Sequence, residues 1–184
     1  MKHILAPILL MVFLFPALAL GEEVVEWDDL VVTNGLVYKK NTDVPFTGKT
    51  TGQVQRTYKD GVMDGPWVEY HYHGGLKSKG DYKNGKKEGP WVTYWTNGRV
   101  WVKGDYKNGE REGPWVFYYD NGQLHMKGDF KNGEEEGPLV VYYENGRLSF
   151  KGNYKNGEKD GPWVYYHEDG TVNEELDGIY EKVD

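Results

Sequence analysis

Cysteine is absent from this chain of 184 residues, which excludes a disulfide framework, a thiolate nucleophile and a lipid-modified N-terminal cysteine. Excess basic charge is absent too: 22 Lys and Arg face 29 Asp and Glu, a formal charge of −7. Phosphate binding needs a basic stripe that displaces counterions, so this balance excludes an extended nucleic-acid footprint and argues against anionic lipid. Helical periodicity is missing as well. No Ser-His-Asp order or isolated carboxylate pair stands apart from the pattern described next, so the sequence offers no catalytic residues, no cofactor motif and no metal ligand set.

What the chain does have is 25 Gly, 15 Tyr and 7 Trp, in a fixed rhythm. Gly-Pro before a large apolar residue recurs at Gly65, Gly89, Gly113, Gly137 and Gly161, always 24 residues apart. The same spacing holds for Tyr58, Tyr82, Tyr106, Phe130 and Tyr154, and for two glycine-centred turns per unit. One turn series is His73-Gly74, Asn97-Gly98, Asn121-Gly122, Asn145-Gly146 and Asp169-Gly170. The other is Asp60-Gly61, Asn84-Gly85, Asn108-Gly109, Asn132-Gly133 and Asn156-Gly157. A period in this range marks a stacked repeat architecture.

Asn-Gly and Asp-Gly between runs of Val, Tyr, Phe and Trp predict two-residue type I′ hairpins. Taking Asn121-Gly122 as a turn pairs Tyr119 with Leu124, Phe117 with Met126 and Trp115 with Gly128 on one face. Tyr118 with His125 and Val116 with Lys127 fall on the other. The glycine opposite Trp115 leaves room for the indole to lie across bare backbone. The turn at Asn132-Gly133 puts Leu139 opposite Met126. Proline cannot donate to a ladder, so Gly-Pro belongs at a strand start or a local bulge. The predicted fold is all-β: an elongated single-layer antiparallel meander of stacked 24-residue hairpins, each too small to stand alone.

Residues 1–21 combine Lys2-His3, an apolar run from Ile4 to Leu14 and small residues at Ala17, Ala19 and Gly21. That is the pattern of a signal peptide cleaved after Ala19 or Gly21, with an uncleaved anchor as the alternative. The expected location is therefore exported, periplasmic or secreted. Losing Lys2 leaves 21 basic against 29 acidic residues, a mature charge of −8. Residues 22–57 read as an acidic flexible leader (Glu22 to Asp29), a capping hairpin over Leu30–Val32 and Leu36–Tyr38, and a degraded repeat from Phe46. Five repeats fill 58–177, the last departing from the pattern at Glu175-Leu176-Asp177-Gly178, and 178–184 is a tail.

Three chemical readings fail on spacing. Gly48-Lys49-Thr50 lacks the first glycine of a P-loop, since position 43 is Asp43. His71 and His73 are two apart, but His73 fills a turn slot that is Asn97 in the next unit, and no further ligands converge. Glu134 to Glu136 and Asp160 lack EF-hand spacing and read as a solvated edge.

Two aromatic rows remain. The inner row is Trp67, Trp91, Trp115, Leu139 and Trp163, continued by Trp95, Tyr119 and Tyr143, with Gly80, Gly104, Gly128 and Gly152 as its structural partners. The outer row is Tyr70, Tyr94, Tyr118, Tyr142 and Tyr166 beside Lys79, Lys103, Lys127 and Lys151. Trp101 departs from the repeat: it is expected opposite Tyr94, where other units place Lys77, His125 or Ser149. The candidate partner-binding residues are Trp101, Tyr94, Tyr118, Tyr142, Trp95, Tyr119 and Tyr143.

The set Tyr-Lys-Asn-Gly, Gly-Pro-Trp-Val, Tyr-Tyr, Asn-Gly, Leu, Lys-Gly resembles the variant MORN-repeat family, whose bacterial members commonly carry the name YwqK-type antitoxin component. The resemblance spans Phe46 to about Gly170. It implies a β-hairpin array that serves interaction rather than catalysis. Two functions are expected on these grounds: a scaffold binding an unknown protein or a second copy of itself, or a cell-wall or glycan-binding module that uses exposed Trp and Tyr.

Overall fold

The computed structural model describes residues 22–174. The expected signal peptide, the last residues of the fifth repeat and the tail lie outside the described residues. The strands are β1 (Val24–Val25), β2 (Leu30–Thr33), β3 (Leu36–Lys39), β4 (Gly48–Thr50), β5 (Val54–Lys59), β6 (Val62–Tyr70) and β7 (Leu76–Lys83). They continue as β8 (Lys86–Tyr94), β9 (Val100–Lys107), β10 (Glu110–Tyr118), β11 (Leu124–Lys131), β12 (Glu134–Tyr142), β13 (Leu148–Lys155) and β14 (Glu158–Tyr165). Twelve of them form one sheet in which β4 to β14 follow in chain order, each antiparallel to the next. This is the predicted antiparallel meander, and its sheet is open.

The two turn series have different chemistry. At Asn84-Gly85, φ is 49° and 78°, and at Asn132-Gly133 it is 51° and 87°, as a type I′ turn requires. In the other series only the glycine has positive φ, 81° at Gly98 and 90° at Gly122. There Gly122 N–H donates to the Tyr119 carbonyl (3.0 Å) and Tyr119 N–H to that of Gln123 (2.9 Å), which makes a longer loop than expected. Asparagine serves here through its side chain: Asn121 Oδ1 accepts the Gln123 N–H at 2.8 Å, and Asn97 and Asn145 do the same two residues on.

The longer loop corrects the register. Tyr118 opposes Leu124 rather than His125, with a one-residue bulge beyond the Phe117–Met126 pair. Trp115–Gly128 and Val116–Lys127 pair as expected. A second bulge lies at Gly-Pro, where Gly113 takes φ 68°. Glu112 opposes Asp105 but Val116 opposes Lys103, so two extra residues are inserted on β10. The same insertion in β12 moves Leu139 from Met126 to Gly128. An even insertion preserves which side chains share a face.

The N-terminal segment also differs from expectation. The leader supplies β1, which pairs in parallel with β4 and occupies the sheet edge. The hairpin β2–β3 forms as predicted but makes its own small sheet. It packs Leu30 and Val37 onto Val25, Phe46 and Tyr58, so it covers the end of one face rather than the edge. At the other end Tyr166 bridges Val172, and Asn173 N–H donates to the Tyr165 carbonyl.

Candidate functional site

The indoles decide which surface is spoken for. The bulge at Gly-Pro swings each one over the strand before it, not over the glycine it pairs with. A Cβ on Gly80 would sit 2.0 Å from Trp91, on Gly104 2.4 Å from Trp115, and on Gly152 2.3 Å from Trp163. Trp115 therefore rests on Gly104, although Gly128 is its ladder partner. Trp67 has Arg56 in the place of that platform, and it stacks on Trp91 at 5.0 Å.

Trp115 meets Tyr106 edge to face at 5.1 Å and Phe130 at 6.2 Å, and Trp163 meets Tyr154 at 5.1 Å. A cation lies over three of these indoles. Lys87 Nζ is 4.0 Å from the Trp91 ring, Arg111 Cζ 4.6 Å from Trp115, and Lys159 Nζ 4.4 Å from Trp163. Where Leu139 replaces tryptophan, the corresponding residue is Glu135. At Trp67 the same position is Met63, so the cation is not tied to the indole, and the cover of this face comes largely from the stacked rings of successive repeats.

The continuation of the inner row ties repeats together. Trp95 Nε1 donates to the Tyr118 carbonyl (3.1 Å), Tyr119 Oη to that of Tyr142 (2.7 Å) and Tyr143 Oη to that of Tyr166 (2.7 Å). At the opposite edge the supposedly solvated acids work in the same way. Glu88, Glu112 and Glu136 accept the N–H of Asn108, Asn132 and Asn156 in the following turn, at 2.8, 3.1 and 2.9 Å. The residue before each Gly-Pro is acidic in every repeat, and that recurrence was the available signal.

The bulge also relocates Trp101. Tyr94 opposes Val100, and Trp101 lies beside Trp95 with ring centroids 5.1 Å apart. Trp101 remains 42% exposed, a tilted aromatic pair at the end of its hairpin. In the next unit Tyr119 and His125 make a tilted ring pair at 4.4 Å. In the outer row, Lys103 Nζ lies 5.6 Å from the Tyr118 ring. Beside that row runs an open groove of about 310 Å³ lined by Pro90, Val92, Lys103, Asp105, Pro114 and Val116. Its counterpart one repeat earlier, about 330 Å³, is lined by the residues 24 positions before.

Among the described residues no group of His, Cys, Asp and Glu could hold a metal. Nor is any helix among them long and apolar enough to cross a membrane.

Burial pushes the phenols of Tyr58, Tyr82 and Tyr119 above the ordinary range. Arg56 opposes the shift at Tyr58 and Tyr82, and Glu144 adds to it at Tyr119. The stability these groups contribute is fully present below the unfolded phenol pKa of about 10 and is lost as pH rises through the folded values. Urea midpoints measured at pH 8 and at about pH 11 are expected to fall over that interval, and Tyr58→Phe with Tyr82→Phe should flatten the fall.

These features define a class: an open repeat ribbon whose glycines and indoles build the frame and whose exposed aromatics and grooves offer surface. The chain belongs to the MORN repeat variant family, which matches residues 63–84, 87–108, 111–132, 135–156 and 159–179. A comparison with curated proteins finds no match. Among solved structures, "Crystal structure of GtfA/B complex bound to UDP and GlcNAc" is 11% identical over 70% of this chain and 26% of that chain, with a TM-score of 0.21. This chain thus spans about a quarter of that one, and the likeness carries no argument.

Proposed function

We propose that the protein is an exported, non-catalytic repeat scaffold that holds a protein partner on its exposed aromatic surface. The observation that carries this reading is the Trp95–Trp101 pair, which places a 42%-exposed indole at a position that other repeats fill with Lys77, His125 or Ser149. Large aromatics anchored in this way are the usual centres of binding energy. The antitoxin-type role implied by the resemblance to YwqK-type proteins would be one form of it, with a toxin buried against the same surface. Periplasmic or secreted location follows from the signal-peptide pattern of residues 1–21.

Crosslinking and affinity capture from the native envelope test the reading. A specific exported partner should be recovered with the wild type and reduced about tenfold or more by Trp101→Ala. Equal recovery by the variant would sink the assignment of the site. The second reading, a glycan or cell-wall module, draws on the flat indole that Trp101 exposes to a sugar ring. Retention on insoluble glycan that is lost in Trp101→Ala supports it, and no retention by the wild type removes it.

A further inference from the structure

The long loops, which join β6 to β7, β8 to β9 and so on along the ribbon, share one frame. In the second of them Trp95 N–H donates to the Arg99 carbonyl (2.8 Å) and Gly98 N–H to that of Trp95 (2.9 Å). In the first, His71 N–H donates to the Gly75 carbonyl (2.7 Å) and Gly74 N–H to that of His71 (2.8 Å). Gly75 therefore stands where the later loops place Arg99, Gln123, Arg147 and Thr171.

At the later junctions between loops, that side chain lies across the next loop. A Cβ on Gly122 would sit 3.6 Å from Arg99 Cδ, one on Gly146 3.1 Å from Gln123 Oε1 and one on Gly170 3.9 Å from Arg147 Cδ. Both arginines also find an acceptor. The Asp120 carbonyl accepts from Arg99 Nη1 (3.1 Å) and from Asn97 Nδ2 (2.8 Å). The Glu168 carbonyl accepts from Arg147 Nη1 (3.0 Å) and from Asn145 Nδ2 (3.2 Å). Gln123 covers its glycine without a bond to the Glu144 carbonyl.

The first junction has neither the cover nor the bond. A Cβ on Gly98 would meet nothing within 4 Å, because Gly75 has no side chain to lay there. His73 replaces the asparagine that would be the second donor. His71 Nε2 still reaches the Tyr94 carbonyl at 3.2 Å, so the tie that Trp95, Tyr119 and Tyr143 make later is kept. The Thr96 carbonyl, counterpart of Asp120 and Glu168, accepts nothing among the described residues. What remains is a notch of bare backbone at Gly74, Gly75 and Gly98 around an open acceptor. On the same loop Tyr72 is 94% exposed, at a position that is Thr96, Asp120, Glu144 or Glu168 in the other loops.

We propose that this notch receives an arginine side chain of a protein partner, its guanidinium donating to the Thr96 carbonyl as Arg99 does to that of Asp120. The occupant's chemistry is the one the chain supplies to itself at two later junctions. A guanidinium brings charged donors in a fixed fork, and the Tyr72 ring is available to its face. The excess of 29 acidic over 22 basic residues draws a basic segment toward the chain. The inference rests on the functional reading above, since Thr96 adjoins the Trp95–Trp101 pair, and it names the chemistry by which the partner is held.

Titration of the protein with a blocked Gly-Arg-Gly peptide, followed by backbone amide shifts, tests the proposal. Saturable shifts confined to residues 71–75 and 95–98 are expected, with a Kd on the order of 1 mM. Lysine or citrulline in place of the arginine should bind about tenfold more weakly. Gly75 has no positive φ and a Cβ there meets nothing within 4 Å, so the position accepts a side chain. Gly75→Arg should fill the notch from within, weakening peptide binding about tenfold or more while the urea midpoint stays or rises. Gly75→Ala should bind as the wild type does. Four results would each overturn the proposal: no shifts in the wild type, equal binding of the arginine and lysine peptides, a Gly75→Arg variant that binds normally or unfolds earlier, or an equal loss in Gly75→Ala. Envelope capture separates this inference from the reading it rests on. A partner lost by Trp101→Ala but kept by Gly75→Arg removes the arginine assignment alone. Peptide binding that Gly75→Arg abolishes, with no partner captured by the wild type, upholds the notch and sinks the partner reading.

Discussion

Gly104→Ala is expected to destabilise the array by about 3 kcal/mol, while Gly128→Ala changes it by about 1 kcal/mol or less. Neither glycine has positive φ, so strain in the backbone does not enter. At Gly104 the new methyl would lie 2.4 Å from two ring atoms of Trp115, a rigid side chain that is 2% exposed and hemmed in on every side. Relief requires the whole indole to move, which overpacks Tyr106 and Phe130 behind it. At Gly128 the nearest atom is Leu139 Cδ1 at 2.9 Å, the end of a flexible side chain that can rotate away. There the reduced freedom of the unfolded chain, about 0.4–1 kcal/mol, offsets much of the remaining clash. Urea unfolding followed by tryptophan fluorescence measures both. Equal losses at the two sites would show that the glycines serve backbone conformation and not the indole platform.

Trp115→Ala should have the largest effect of any single change, about 4 kcal/mol. The side chain fills the space between β9 and β11, donates from Nε1 to the Asp105 carbonyl at 3.2 Å and seats the Arg111 guanidinium. Its removal leaves a cavity, takes the indole donor from the Asp105 carbonyl and leaves Arg111 only the more distant rings of Phe130 and Phe117. Trp67→Ala should cost about half as much, because Trp67 is only half-buried and has no glycine platform. In a stacked array each unit leans only on its neighbours, so the Trp115 variant should melt its own repeat and loosen the adjoining ones first. Hydrogen exchange resolved by segment would reveal this. Uniform loss of protection along the whole sheet would contradict it.

Much of this was legible before any coordinates. The period of 24 fixed the hairpins, and Asn84-Gly85 and its equivalents announced their turn type. Gly80, Gly104 and Gly152 were identifiable as indole partners from their parity with the tryptophans, whereas Gly128 lies against Leu139. What misled was the assumption that two Asn-Gly dipeptides make the same turn. Asn121 turns the chain through a side-chain bond to Gln123 N–H, while Asn132 does so with its own backbone at φ 51°. That difference moved Tyr118, His125 and Trp101 by one ladder position. Gly-Pro was expected at a strand start or a local bulge; it is a bulge, and the number of residues it inserts was not foreseen, so the strand on which each indole rests came out wrong. The exposed Trp95–Trp101 pair was partly visible, because Trp101 breaks a repeating polar slot. Its true neighbour was hidden by the bulge.

The bonds that Tyr119 donates to Tyr142 and Tyr143 to Tyr166 cross a single boundary and run in one direction only. The same is true of those that Asn108 donates to Glu88 and Asn132 to Glu112. Length is consequently a free variable of the design. A whole unit could be spliced in or cut out at any seam, and every seam left behind would be chemically complete.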